Sequence, residues 1–291
     1  MLQVDQTASF HHAPIGWKSS HPNPFSPDGA YGQGWSCFQL LDRDDADYTT
    51  GRSPDGPFGV VAGRRIPDLP SRLCDFLRYE HRHGRQVILA FPEGVDADEI
   101  VCSAWDATAD RRVVRASDPP VVVHSTTREA WEAIQRDGML KSAARLRAEG
   151  YLSASPLSET SELSGYYCGE PGEYADYIMF GGLGHPSVES ILVSKERGNF
   201  CLDRDVRYEP GVRLYLDLHA VIRDGLGVRD GLHLAKVRDR LPLTPYLIHA
   251  IGVADVQGDR LQEWTPRLFT QEADRAFQQQ WRRSGRHGGN A

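Results

Sequence analysis

The stretch that most constrains this chain is Val121 to Ala154. Three valines, Val121 to Val123, lead into His124, and a Ser125-Thr126-Thr127 turn follows. Ala130, Trp131 and Ile134 then fall at the spacing of a helix's buried side. Thr126 or Thr127 suits the N-cap, Glu129 sits in the first turn where the helix dipole favours a carboxylate, and Gly138 supplies a left-handed stop. The pattern predicts a strand that delivers a histidine to the entrance of a helix.

What surrounds that stretch is bounded by composition. A chain of 291 residues can bury a sizeable core and suits about two domains. A formal charge of -7 argues against coating nucleic acid non-specifically, which needs a lysine and arginine surface, and leaves room only for a local basic cleft. The five cysteines, Cys37, Cys74, Cys102, Cys168 and Cys201, are widely spaced and lack zinc-ligand spacing. No metal or disulfide framework is expected, and a reducing, cytoplasmic setting is. Residues 1–12 lack a secretory pattern, and no apolar run reaches the length of a membrane span.

Along the chain, 1–35 reads as an irregular arm without chemistry, and 34–61 as short strands joined by turns. Asp68 is the expected cap of a helix carrying Leu69, Leu73, Phe76 and Leu77, stopped by Gly84 and followed by a buried strand from Gln86 to Phe91. Arg78, His81, Arg82, His83 and Arg85 at that helix's end read as a solvated, dipole-compensating cluster, with anion binding as the lesser reading. A composition shift between about 105 and 120 marks a domain boundary.

Beyond Ala154, Ser158 to Tyr167 suits a short capped helix, and Gly182 and Gly184 do not complete a dinucleotide fingerprint. Strands are expected over 190–194, 212–218, 231–237 and 246–253, a short helix over 218–225 and a closing helix over 272–283. Strands with so few helices between them predict an α+β class. The domains expected are 1–114, of unknown role; 115–255, built around His124; and 256–291, a helix and flexible tail. His233 and His249 on late strands read as structural before functional.

These residues resemble the ADP-ribosyltransferase superfamily. His124-Ser125-Thr126, followed by a helix ending Gly138-Met139-Leu140, is similar to its first motif, in which a strand presents His-Gly-Thr. Gly150 to Ala154 and Ser161 to Cys168 are similar in type to the second motif of the poly-ADP-ribosyltransferase branch. The resemblance implies a split mixed β-sheet preceded by a smaller mixed α/β domain, with NAD bound as substrate. His124 would contact the ribose and the backbone at Ser125 the nicotinamide amide, with Thr126 completing the motif. Tyr151 and Tyr167 would flank the nicotinamide. Ser125 stands where the family has glycine, adding a side chain where the cofactor approaches.

The third motif separates branches. Classical members carry a glutamate early in a late strand, and here Pro245 of Thr244-Pro245-Tyr246-Leu247-Ile248 stands in its place. The RNA 2'-phosphotransferase branch also lacks that glutamate, and Val212 to Leu247 resembles its corresponding run. Arg207, ten residues before Asp217, is similar in spacing to that branch's catalytic arginine, and Arg115-Ala116-Ser117 to its Arg-Ala. Both guanidinium groups suit phosphate. The branch's Gly-His-Ser and Arg-x-His-Val-His-Leu are absent, and its Arg-His pair is matched at best by Arg78-Tyr79.

The expected function is therefore cleavage of the nicotinamide–ribose bond and transfer of ADP-ribose. An acceptor already anionic, such as an RNA or DNA phosphate, needs no general base; alternatively Glu209 or Asp230 substitutes for the missing carboxylate. The competing readings are a non-catalytic nucleotide- or macromolecule-binding module on the same fold, an ADP-ribosylating toxin with a protein or DNA target, and an unrelated α+β hydrolase or structural domain.

Overall fold

A computed structural model of the chain describes residues 9–52, 55–151, 171–197, 201, 203–256 and 263–283. It is a mixed α+β protein of two compact units. The first holds the described residues up to Arg111 together with 171–172 and Arg229–Leu232, and the second holds the rest.

In the first unit five strands form one sheet: β1 (Phe10–His12), β2 (Trp35–Leu40), β3 (Tyr48–Arg52), β4 (Phe58–Ala62) and β5 (Gln86–Ala90), in the order β1-β5-β2-β4-β3. All neighbours are parallel except β3, which runs antiparallel to β4. Parallel strands are covered on both faces, and the apolar runs of β2, β4 and β5 are buried almost throughout. One face packs α1 (Leu69–Arg82) and α2 (Ala97–Ala104), which bury Leu73, Phe76, Leu77 and Val101. On Cys37, Ile88 and Ala90 sit Trp17 and Tyr31.

Three expectations change here. The 1–35 segment is not wholly irregular, because Phe10–His12 adds a parallel strand to β5. Asp68 does not cap α1 through its side chain: its backbone is left-handed (φ 54°), whereas a capping side chain reaches the first turn from an extended backbone. Pro70 sits in that first turn and brings no N–H to satisfy. The basic residues at the end of α1 and just after it are also not uniformly solvated. Arg85 is buried and paired with Glu80, and Arg78 lies over Trp105 at 4.0 Å and donates to Thr108 Oγ1 at 2.5 Å.

The second unit is organised around β6 (Val121–Thr126), β9 (Val212–Asp217) and β13 (Leu247–Gly252), an antiparallel sheet with β9 in the middle. Smaller sheets pair β7 (Met139–Lys141) with β12 (Arg240–Pro242), and β8 (Tyr177–Met179) with β11 (Lys236–Arg238), beyond which lies β10 (Gly227–Val228). A single bridge joins β6 to the segment after β8, with Val123 and Gly181 exchanging two 2.9 Å backbone bonds. Gly181 is needed there, since a Cβ would stand 2.3 Å from the Val188 side chain.

The longer helices among the described residues of this unit are α3 (Arg128–Asp137), α4 (Ala143–Ala148), α5 (Ser187–Arg197), α6 (Leu218–Arg223) and α7 (Pro266–Arg283), beside single turns at Leu243–Tyr246 and Val253–Val256. The main sheet carries a core on each face. Val122, Leu214 and Leu216 pack with Leu140, Ile178 and Val237, while Val121, Val123, Tyr215 and Ile251 pack with Trp264, Phe269, Ala273 and Phe277.

The strand expected over 190–194 is instead part of α5. A short apolar run does not distinguish strand from helix. Here Pro186 starts the first turn, accepting from the N–H groups of Glu189 and Ser190. Glu189, Ser190, Val193 and Ser194 are buried at helical spacing. Of the strand expected over 231–237 only Lys236–Val237 pairs, within a strand that runs to Arg238; Gly231 takes a left-handed backbone (φ 75°) and residues 232–235 are irregular. The closing helix begins six residues earlier than expected, and it packs into the core of the second unit rather than standing apart. Among the described residues no helix is long and apolar enough to cross a membrane.

Candidate functional site

His124 is delivered as the sequence predicts. β6 runs from Val121 to Thr126, Thr127 accepts from the Ala130 N–H at 3.2 Å as N-cap of α3, and Gly138 ends that helix left-handed at φ 66°. Strand alternation sends His124 to the Val122 side of the sheet and Ser125 to the Val121 and Val123 side. His124 is half-buried, its ring edge-on to Phe180 at 6.3 Å, with Nδ1 3.1 Å from the carbonyl oxygen of Met179. A carbonyl only accepts, so Nδ1 carries the hydrogen in this bond and the neutral ring keeps its lone pair on Nε2.

Ser125 and Thr126 are buried, at 8% and 7% exposure. The Ser125 hydroxyl does not project to the side on which His124 lies; it donates to Glu189, inside a closed ionic cluster. There Arg213 of β9, with no exposed surface, donates to Glu189 at 3.2 Å and to Asp274 at 2.9 Å. Tyr208 donates to Glu189 at 3.0 Å, Tyr215 to Asp274 at 2.8 Å, and the Gly184 N–H to Asp274 at 2.6 Å. Burial opposes charging Arg213, but Asp274 and then Glu189 offset it, so the guanidinium is held above its ordinary range. Burial, reinforced by the neighbouring carboxylates, raises the phenols of Tyr208 and Tyr215.

The other expected site residues lie in separate surroundings. Arg207 is 75% exposed and pairs with Glu263. It lines an open groove with Arg128, Tyr208, Glu209, Pro210, Val253, Glu263 and Trp264, a lining that includes neither His124 nor Tyr151. Glu209, a candidate substitute carboxylate, is itself exposed and 3.9 Å from Arg128. Arg115 is half-buried in the loop before β6, its N–H donating to Asp118 at 2.7 Å. Tyr151 is 60% exposed, its ring 5.2 Å from the Lys141 ammonium. Hydrogen bonds to Asp137 and Glu149 hold that ammonium in its charged form. Tyr167 lies outside the described residues, as do most of the two segments that carry the second motif.

Pro245 precedes β13, and the next residue, Tyr246, is buried with its hydroxyl 2.6 Å from Asp224. That hydrogen bond, helped by burial, pushes the phenol up to about 12. Asp230 is buried in the first unit and accepts from the Leu232 N–H at 2.9 Å, and His233 stands edge-on to Tyr174 at 5.7 Å.

Sequence reasoning missed Lys236. It is fully buried, 3.6 Å from the ring centroid of Tyr174 and 4.6 Å from that of Tyr177, and it stands opposite Met179, whose carbonyl holds His124. Aromatic faces attract a cation. Sequence reasoning also missed the Arg213 cluster. Its signal was an arginine two residues before Tyr215 within an otherwise apolar strand, and an aspartate on the Phe269, Ala273, Phe277 stripe.

Among the described residues no cluster of histidine, cysteine and carboxylate side chains could hold a metal ion. Comparison with protein-family models, with curated proteins and with solved structures finds no match to this chain.

Proposed function

We propose that the second unit is an ADP-ribosyltransferase-like domain that binds NAD through His124 and transfers ADP-ribose to an anionic acceptor, a nucleic-acid phosphate being the reading its sequence supports best. The observation that carries this proposal is the setting of His124. It lies next to the one-bridge junction between an antiparallel main sheet and the smaller sheets, immediately before a capped helix ending at Gly138. That arrangement is what a split-sheet NAD site asks of a first motif, and the Nδ1 contact to the Met179 carbonyl fixes the direction in which the ring is aimed.

In this reading His124 orients the ribose and the β6 backbone flanks the nicotinamide. Tyr151 and Tyr167 shape its pocket, and Arg115 meets phosphate; Arg207, in a groove whose lining lacks His124, is given no part in it. Heterolysis of the nicotinamide–ribose bond leaves positive charge on the ribose, which an anionic acceptor both stabilises and attacks. The test is incubation of the full chain with NAD labelled in the nicotinamide, in turn with 2'-phosphorylated RNA, DNA and protein acceptors. Nicotinamide release with one acceptor class supports transfer, and none with any acceptor refutes it.

A second reading, a binding module on the same fold, is favoured by two observations. Pro245 occupies the expected glutamate's position, and the exposed Arg207 is already paired with Glu263. NAD bound but never consumed would select that reading.

A further inference from the structure

The residue after His124 carries a hydroxyl that lies on the far side of the sheet, sealed into a cluster that reaches three other parts of the second unit. Ser125 bonds to Glu189 of α5, Glu189 to Arg213 of β9 and to Tyr208, and Arg213 to Asp274 of α7. Every member named is buried or partly buried, and Glu189 and Arg213 have no exposed surface. We infer that Ser125, through Glu189 and Arg213, is a positioning residue for His124, and that the closing helix α7 is thereby a working part of the site. The inference rests on the NAD-binding reading for its functional meaning, but not for its structural test.

The physical case is that neighbouring residues on a strand face opposite ways, so fixing one fixes the aim of the other. β6 is held at Ser125 by a charge-assisted bond to a buried carboxylate, which is stronger than a neutral one. One residue further on the backbone is clamped as well: a Cβ on Gly211 would stand 1.9 Å from the Thr126 carbonyl oxygen, so β6 and the approach to β9 touch backbone to backbone. One residue back, the His124 ring is held at Nδ1 by Met179. Rotation of the strand about its axis would break the Ser125 bond and the Met179 bond together. A glycine at 125 could make no such bond, so the serine is a substitution with a purpose rather than an obstruction.

The network also explains the chemistry of its parts. One guanidinium faces two carboxylates, and three hydroxyls and a backbone N–H complete the coordination of their oxygens. A partly satisfied buried network is costly, so the loss of one member is felt by the others. Ser125 is the one of these contacts that lies next in sequence to the candidate catalytic histidine.

The test is NMR of the full chain carrying isotope-labelled histidine, with the His124 signals identified by their loss in His124→Gln. Ser125→Ala and Tyr208→Phe are compared with the wild type and with Arg267→Ala, which removes only an exposed pair with Asp205. The expected result is that the His124 Nδ1–H signal shifts or disappears in both network variants, with unfolding still cooperative, and persists in Arg267→Ala. Where the wild type consumes NAD, kcat/KM should fall roughly tenfold to a hundredfold in the network variants, as for a reacting group displaced by a fraction of an ångström to an ångström.

Unchanged His124 signals in folded Ser125→Ala and Tyr208→Phe would overturn the inference and leave the network purely structural. Should Ser125→Ala fail to fold, Tyr208→Phe, which removes one donor from the network's edge, decides alone. A wild type that never binds NAD would refute the proposed function while leaving the NMR result to judge the positioning role.

Discussion

The two units solve the same problem by different chemistry. In the first, β2, β4 and β5 are buried largely among apolar residues, and the buried pair of Glu80 with Arg85, joined by the Ser36 hydroxyl of β2, stands where β5 begins. In the second, the central strand β9 carries Arg213 into the core between α5 and α7 and completes its packing with two carboxylates. An apolar core tolerates any side chain of the right volume, whereas a buried ionic cluster demands particular atoms at particular places. The contrast teaches that geometry is specified most narrowly in the second unit, on the strand beside the candidate histidine.

Isosteric substitutions break this comparison most sharply. Asp274→Asn keeps the volume but removes one of the two charges facing Arg213, and Asp274→Ala removes both charge and volume; each is expected to cost roughly 3 kcal/mol, because the buried guanidinium keeps only Glu189 as its carboxylate partner. In the first unit Leu77→Ala should cost a comparable 2–5 kcal/mol, roughly, through the cavity it leaves. Leu77→Met, which conserves volume, should cost less than about 1.5 kcal/mol. Denaturant unfolding of the four variants checks the pattern. Equal tolerance of the two conservative changes would show that the second unit's core is as permissive as the first.

A smaller effect is expected at the entrance to α3. Thr127→Ala loses the bond to the Ala130 N–H and should cost about 1 kcal/mol, with NAD affinity reduced less than by His124→Ala. Calorimetry of both variants measures it. The smallest contrast needs no stability change at all. Burial, with Glu80 nearby, pushes the Cys37 thiol in the first unit's core up to about 12, while Cys102 is exposed. A raised thiol pKa means the reactive thiolate is present only above that value, so at about pH 8 an alkylating reagent should modify Cys102 and leave Cys37 untouched in the folded protein. Mass spectrometry of the labelled chain reads this directly.

The elements that the sequence made legible are those with a local signal. The strand into His124, the Thr127 cap and the Gly138 stop all follow from adjacent residues, as does the alternating β9, whereas Ser125 and Thr126, expected in a turn, continue the strand by pairing with Arg213 and Val212. Ser190 to Ser194 was misread because five residues of mixed polarity fit either period, and the deciding contact is Pro186 accepting the first-turn bonds. Asp68 differs from its expected role because its backbone is left-handed, and its side chain makes no cap bond from there. Of the candidate site, His124 was legible, but its anchor was not. Ser125, Glu189, Arg213 and Asp274 are scattered over some 150 residues of sequence, and only the folded sheet brings them together. Lys236 was hidden for the same reason, since the tyrosines around it lie some sixty residues earlier.

The most direct test of the account is calorimetric titration of NAD into the full chain and into His124→Ala, with melting curves recorded for both. Saturable binding by the wild type is expected, with an affinity at least about tenfold weaker in the variant, a difference of roughly 1.4 kcal/mol, and the fold intact. Absence of binding by the wild type, or equal affinity in the two proteins, would contradict it.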